Sequence, residues 1–325
     1  MTTFFQTVPG ALILLVIGFV FLIKGADFFV EGASAVAKKL HVPALVIGMT
    51  IVAMGTSLPE LSVSVTASIA GSNQLAIGNV VGSNIFNLMV VLGSCALFSA
   101  LEVSDDTIKK DLPFSIICTV ALMVMGLIGN SVGHIDGAIL LVLFILFLSS
   151  MLRAAKKSRT TAAAIAEEDN EIVDIPTWLC IIYIIGGAVA IKYGGDWVVD
   201  SCTTLALKFG MSETLVGLTI VALGTSLPEL VTSIVAAKKN ELDMAIGNVV
   251  GSNIFNILLI LGVAGAISPM TFLTVNAIDT LILVVFSVIV GLMCLKKKNL
   301  NKANGIVMLL LYAVYLGYII LRDGV

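Results

Sequence analysis

Charge is what this 325-residue chain has least of: Asp, Glu, Lys and Arg together make up 12% of it, against 58% hydrophobic residues. A soluble domain cannot cover its surface with so little charge, so the composition excludes the soluble classes and leaves an integral membrane protein. Histidine occurs only twice, as His41 and His134. The five cysteines (95, 118, 180, 202 and 294) form no CxxC pair and have no histidine at metal-ligand spacing. That pattern excludes a zinc site and a disulfide frame, and it reads the thiols as buried apolar filler. No Lys or Arg precedes Lys24, so the first apolar run lacks the basic start of a signal peptide and is expected to stay as a span. No ATP-binding motif occurs, so any active transport must draw on an ion gradient.

What is present is apolar sequence in membrane-length pieces. Runs long enough to cross about 30 Å of hydrocarbon fall near 9–31, 44–69, 75–99, 112–130, 134–154, 177–200, 212–236, 243–267, 276–295 and 303–321. They predict an all-α integral membrane protein of ten transmembrane helices. Very short connections near 71–74 and 268–269 make antiparallel neighbours of the helices they join. The stretch 156–175 is basic, then rich in Ala and Thr, then acidic at Glu167, Glu168 and Asp169. It reads as a solvated linker between residues 1–155 and 176–325.

Basic residues set the orientation. Loops on one side hold Lys38, Lys39, Lys109, Lys110, Arg153, Lys156, Lys157, Arg159, Lys238, Lys239, Lys296, Lys297, Lys298 and Lys302, whereas the other side has Lys208 and Arg322. Fourteen against two places the linker in the cytoplasm and both termini outside a plasma membrane.

Two motifs recur 169 residues apart (229 − 60 = 169). GMTIVAMGTSLPEL at 48–61 returns as GLTIVALGTSLPEL at 217–230, and AIGNVVGSNIFN at 76–87 returns unchanged at 245–256. Each half holds five spans, an odd number, so the second must cross with opposite polarity. Inverted repeats with broken, motif-bearing helices are the sequence mark of a secondary transporter whose site lies near the bilayer midplane. Packing accounts for the repeated glycines but not for Glu60 and Glu229. An ionised carboxylate at a helix centre costs about 3 kcal/mol on insertion scales, and neither motif supplies a Lys, Arg or His to offset it. A bound cation does.

The surrounding residues suit such a cation. Pro59 and Pro228 lack an N–H and crowd the carbonyls of Gly55 and Gly224, so each helix is expected to break over 55–59 and 224–228. Freed carbonyls in hydrocarbon need another partner. Thr56, Ser57 and Glu60 fall on one face, as do Thr225, Ser226 and Glu229. The next helix in each half adds a polar stripe, Asn79, Ser83 and Asn87 or Asn248, Ser252 and Asn256. The donors are all oxygen, which favours hard cations; calcium matches two carboxylates and a flexible shell, and magnesium ranks below it.

The doubled GTSLPE with the doubled GSNIxN resembles the alpha repeats of the sodium/calcium exchangers of the calcium/cation antiporter superfamily, over nearly the whole chain. The resemblance implies a core of helices 2, 3, 7 and 8, past which helices 1 and 6 slide. It implies calcium ligation by Glu60, Glu229, Thr56 and Thr225. It further implies sodium sites from Ser57, Ser83, Asn87, Ser226, Ser252 and Asn256, with both glutamates and the carbonyls of Ala53 and Ala222. Potassium-dependent members carry aspartate where this chain has Asn256, so no potassium requirement is expected. The partners expected are the lipid bilayer and the transported Ca2+ and Na+, with no cofactor, nucleic acid or protein partner.

Asp27 and Asp196, like Glu31 and Asp200, also align at the repeat offset. Guarding an access path is one role for them, and in-helix pairs with Lys24 and Lys192 are the simpler one. His41 and His134 read as solvated turn residues, and Lys296, Lys297 and Lys298 as a cytoplasmic anchor. Three other function classes compete. A proton- or potassium-coupled antiporter shares the scaffold, a cation channel shares the ligands, and an intramembrane hydrolase has the serines but no base near them.

Overall fold

The computed structural model describes residues 3–70, 73–165, 175–211 and 222–322. The chain is almost wholly helical. α1 (Val8–Leu40) starts where the Thr7 hydroxyl accepts the Gly10 N–H at 3.2 Å, with Pro9 in its first turn, and stops at His41 in a left-handed conformation (φ 52). α2 is bent, its segments Ala44–Thr56 and Leu58–Ile69 meeting at 50°. α3 runs Asn73–Phe86, passes through a π-helical turn at Asn87–Val91 and continues as Leu92–Phe98. α4 (Thr107–Gly129) and α5 (His134–Ile165) complete the first half.

The second half repeats this order. α6 (Thr177–Lys208) is followed by the short Ala222–Gly224 segment and α7 (Leu227–Lys238). α8 runs Leu242–Phe255, through a π turn at Asn256–Ile260, to Leu261–Ile267. α9 (Thr274–Lys297) and α10 (Lys302–Arg322) follow. Among the described residues eight helices are long and apolar enough to cross a membrane, or nine with the bent α2 as one span. The run expected at 212–236, the short connection near 71–74 and the linker at 156–175 each lie partly outside the described residues. α1 and α6 extend well past the apolar stretches read from sequence, because their charged turns continue the helix beyond hydrocarbon depth.

Burial sorts the helices. In the most apolar window of α3 and of α8, 78% of residues are buried, against 22% in α5 and 17% in α10. α3 and α8 therefore form the centre, and α4, α5, α9 and α10 turn apolar side chains such as Ile128, Ile145 and Val314 outward. Such faces suit lipid, where an exposed Leu or Ile costs nothing. Glycine lets α8 reach α2: a Cβ at Gly247 would stand 2.6 Å from the Leu45 carbonyl oxygen, so any larger residue there drives the helices apart.

Two tiny antiparallel sheets tie the halves together. β1 (Leu101–Glu102) pairs with β4 (Asn299–Leu300), and β2 (Ser131–Val132) pairs with β3 (Met270–Thr271). Each joins a strand from one half to a strand from the other, so the exchange is reciprocal.

Candidate cation site

The site begins with the helix breaks. Ser57 (φ −86, ψ 10) and Ser226 (φ −94, ψ 4) leave helical geometry, and Leu58 and Leu227 begin new helices with Pro59 and Pro228 in the first turn. Proline is tolerated there because the N–H it lacks has no intrahelical partner. Glu60 and Glu229 also fall in those first turns, where the exposed N–H ends of the half-helix favour negative charge. The breaks thus sit within the spans expected from sequence. Gly55 and Gly224 have a more specific use. A Cβ on Gly55 would lie 2.6 Å from the Phe29 ring of α1, and one on Gly224 would lie 2.2 Å from Val199 of α6. They seat α1 and α6 against the two breaks.

The two halves then exchange hydrogen bonds. Ser57 donates to Glu229 Oε1 at 2.8 Å, and its counterpart Ser226 donates to Glu60 Oε1 at 3.1 Å. Ser252 reaches Glu229 Oε1 at 3.4 Å. Thr56 Oγ1 lies 3.1 Å from Asn248 Oδ1, and Asn248 Nδ2 donates to Ser233 at 2.9 Å. Asn79 and Ser64 form the matching pair at 3.0 Å.

Both glutamates are buried without a counter-charge. Glu60 and Glu229 are 0% exposed, and among the described residues no ion pair reaches either. Twelve buried side-chain polar atoms there have no protein hydrogen-bond partner, and seven belong to residues named from the repeats. They are Glu60 Oε2, Glu229 Oε2, Ser83 Oγ, Thr225 Oγ1, Asn256 Oδ1 and both amide atoms of Asn87. An unpaired buried polar atom costs about 1–3 kcal/mol, so their gathering in one place marks a site built to complete its bonds with something else. Almost all of them are oxygen, the donor that hard cations take.

The predicted carbonyls are treated differently in the two halves. Ala53 O accepts the Ser57 N–H at 3.0 Å, whereas the Ser226 N–H bonds to Leu223 O at 3.2 Å. The π turns add a feature that sequence reading missed, since both begin at the predicted ligands Asn87 and Asn256. Widened turns of this kind redirect a helix and recur at functional sites. Also missed were Asn84 and Asn253, buried one residue past Ser83 and Ser252. Their identity in both copies of GSNIFN was the available signal.

A cavity of about 380 Å³ runs between α2, α6 and α7 to the site, lined by Pro59, Ser62, Asp196, Asp200, Thr225 and Pro228 among others. Asp196 is ion-paired with Lys192 at 2.8 Å, the in-helix pair expected from sequence, and it also lines the cavity. On the opposite side a separate pocket of about 390 Å³ is lined by Glu31, Ser34, Lys239 and Glu241. There Lys239, in the turn between α7 and α8, bridges Asp27 at 2.7 Å and Glu31 at 3.3 Å, and Ser34 donates to Glu241. Lys24, the partner expected for Asp27, pairs with its other oxygen at 4.0 Å; the lysine crossing from the core makes the shorter contact. Four cysteines are buried and Cys202 is partly so, all as free thiols. Lys298 pairs with Asp105 at 2.7 Å, and His134 Nδ1 lies 3.0 Å from the Ala266 carbonyl.

Known proteins share this arrangement. The family model described as sodium/calcium exchanger protein matches residues 10–153 and 179–321. A protein of Alkalimonas amylolytica provisionally named antiporter CaxA is 38% identical, covering 95% of this chain and 97% of its own. The sodium/calcium exchanger MaX1 of Methanosarcina acetivorans is 31% identical over 94% of this chain and 97% of its own. A solved structure of the sodium-calcium exchanger NCX_Mj superposes with a TM-score of 0.83 at 31% identity, covering 96% of this chain and 99% of that one. With one match on each half and full-length relatives beside them, the chain belongs to the sodium/calcium exchanger protein family.

Proposed function

We propose that the chain is a secondary antiporter that exchanges Ca2+ for Na+ across the plasma membrane by alternating access. In this reading it comprises ten helices in two inverted five-helix repeats, 1–155 and 176–325, joined by a cytoplasmic linker at 156–175, with both termini outside. The observation that carries it is the pair of buried, uncompensated carboxylates, each bonded by the serine of the other half. Two carboxylates neutralise one calcium ion. Neutral oxygens from Thr56 and Thr225 fill out its shell. Sodium, with half the charge, is served by shells in which hydroxyl and amide oxygens predominate: Ser57, Ser83, Asn87, Ser226, Ser252 and Asn256, with the carbonyls of Ala53 and Ala222. Two sodium ions with both glutamates leave the site neutral, and a third makes the exchange electrogenic. Family membership supports the same cargo. So does the likeness to NCX_Mj, a sodium-calcium exchanger whose structures are described in terms of extracellular ion exchange and binding-site occlusion.

With the basic loops inside, the cavity beside Asp196 and Asp200 faces outward and the Lys239 bridge closes the cytoplasmic path. Sodium coupling is tested by calcium uptake into proteoliposomes loaded with sodium, against liposomes holding a pH gradient and no sodium. Uptake only with internal sodium is expected. Uptake driven by the pH gradient alone overturns sodium coupling and leaves a proton-driven antiporter, and flux that needs no counter-ion leaves a channel.

A further inference from the structure

The two asparagines that follow the repeat serines form a clamp across the molecule. Asn84 Nδ2 donates to the Asn253 backbone carbonyl at 3.0 Å, and Asn253 Nδ2 donates to the Asn84 carbonyl at 3.2 Å. A backbone carbonyl only accepts, so each bond fixes which end of its amide is nitrogen. Asn84 Oδ1 is thereby left as a fixed acceptor, and Asn256 Nδ2 donates to it at 3.0 Å. The Asn256 amide is then determined in turn: its nitrogen is engaged, and its Oδ1 is buried without a protein partner.

The mirror bond is not made. Asn253 Oδ1, the counterpart of Asn84 Oδ1, is unpartnered, and so are both amide atoms of Asn87. One half therefore holds its asparagine ligand in a single orientation and the other does not, although the sequences of the two motifs are identical.

We propose that Asn84 is a positioning residue for cation binding: by accepting from Asn256 Nδ2 it holds Asn256 Oδ1 toward the ion, and it sets sodium affinity through that oxygen. The inference rests on the reading of Asn256 as a sodium ligand. An asparagine free to turn presents its NH2 to the cation part of the time, and binding then carries the cost of selecting the right rotamer. Calcium, assigned to Glu60, Glu229, Thr56 and Thr225, does not draw on Asn256 and is spared.

The symmetric partner supplies the control. Asn253→Leu breaks one clamp bond and removes one side-chain donor from a backbone carbonyl, as Asn84→Leu does, but its Oδ1 holds nothing. The experiment is exchange in proteoliposomes with half-saturating sodium and calcium measured separately. Variants are Asn84→Leu, Asn253→Leu, Asn256→Ala and the Asn84→Leu/Asn256→Ala double; alanine at 84 and 253 serves as a second matched pair if leucine does not fold. Asn84→Leu is expected to raise half-saturating sodium by about threefold to tenfold. Asn253→Leu and all calcium values should stay within about twofold, and the double variant should match Asn256→Ala alone. Equal sodium shifts in the Asn84 and Asn253 variants, or additive effects in the double, overturn the positioning role while leaving Asn256 a ligand. Unchanged sodium dependence in Asn256→Ala overturns the ligand assignment itself, and the role of Asn84 with it.

Discussion

Replacing Lys239 by alanine removes the charge that ties α1 to the turn between α7 and α8. Lys239 reaches Asp27 Oδ1 at 2.7 Å, Glu31 Oε2 at 3.3 Å and the Asp27 carbonyl at 3.0 Å. The side chains of the three residues are 31%, 35% and 42% exposed, so solvent screens each pair and each contributes about 0.2–1 kcal/mol. Together with the carbonyl bond the bridge stabilises this closed side by roughly 1–2 kcal/mol, a factor of about 5–30 in a two-state population. Among the described residues the opposite end has no such bridge. The repeat equivalents of Asp27 and Glu31 are Asp196 and Asp200, but the equivalent of Lys239 is Ala70. A reporter is available in Thr232, which is 0% exposed here while its repeat equivalent Val63 lines the open cavity. With Cys202 replaced, a Thr232→Cys variant should react slowly with a hydrophilic thiol reagent applied from the closed side. Adding Lys239→Ala should raise that rate by about 5–30-fold, since modification follows the population of the open form. Ala70→Lys, which offers Asp196 and Asp200 the missing partner, should raise it too. A Thr232→Cys rate unchanged by Lys239→Ala refutes the idea that this bridge weights one state over the other.

Other outcomes follow from the same geometry. Glu60→Gln or Glu229→Gln should abolish calcium uptake into proteoliposomes while thermal unfolding shows the protein still folded; normal uptake in either sinks the site. Thr56→Ala and Ser83→Ala should be milder, each removing a neutral oxygen that water replaces, measured as a rise in half-saturating calcium or sodium. Cation binding needs both carboxylates ionised, so acid should inhibit uptake at a fixed sodium gradient, and raising calcium should relieve the inhibition; acid inhibition untouched by saturating calcium argues for a proton effect elsewhere. Replacing potassium with choline should leave uptake unchanged, because Asn87 and Asn256 leave only two formal negative charges among the named ligands. Impermeant labelling of a cysteine placed in the 156–175 linker should succeed only from the cytoplasmic face.

Composition and repetition made much of this protein legible. The spans are long because hydrocarbon is thick, and the breaks fall at Ser57 and Ser226 because proline forbids a continuous helix. The glutamates stood out because charge in lipid needs a reason. Contacts between the halves were less visible. Nothing in GTSLPE says that Ser57 will serve Glu229 instead of Glu60, three residues along its own helix. That exchange depends on how two bent helices cross, a tertiary fact. The same holds for Asp27: Lys24 is its neighbour in sequence, yet Lys239 is its partner at 2.7 Å, because a turn of the core comes to rest against α1.

The remaining difference between sequence and structure is one of symmetry. The motifs are nearly identical in the two halves, yet the Ser57 N–H bonds to Ala53 O whereas the Ser226 N–H bonds to Leu223 O. On the proposed alternating-access reading such asymmetry is expected, since the two end states of a protein built from inverted repeats are images of each other with the halves exchanged. Any one state is therefore asymmetric even where the sequence is not. Unequal geometry at identical residues, as at these two serines, then belongs to the state and should swap between the halves when the protein opens to the other side. Unequal residues at equivalent positions, Lys239 against Ala70 and Thr232 against Val63, do not swap. They act in the same direction in every cycle, and they are where a preference for one face is encoded. A second structure, of the form open toward Lys239, discriminates the two kinds: it should show the Ser57 N–H on Met54 O, with the Lys239 bridge broken and nothing in its place at Ala70. Persistence of the present Ser57 and Ser226 pattern in that form would mean that the backbone asymmetry is built in, and that the halves are not conformational equals.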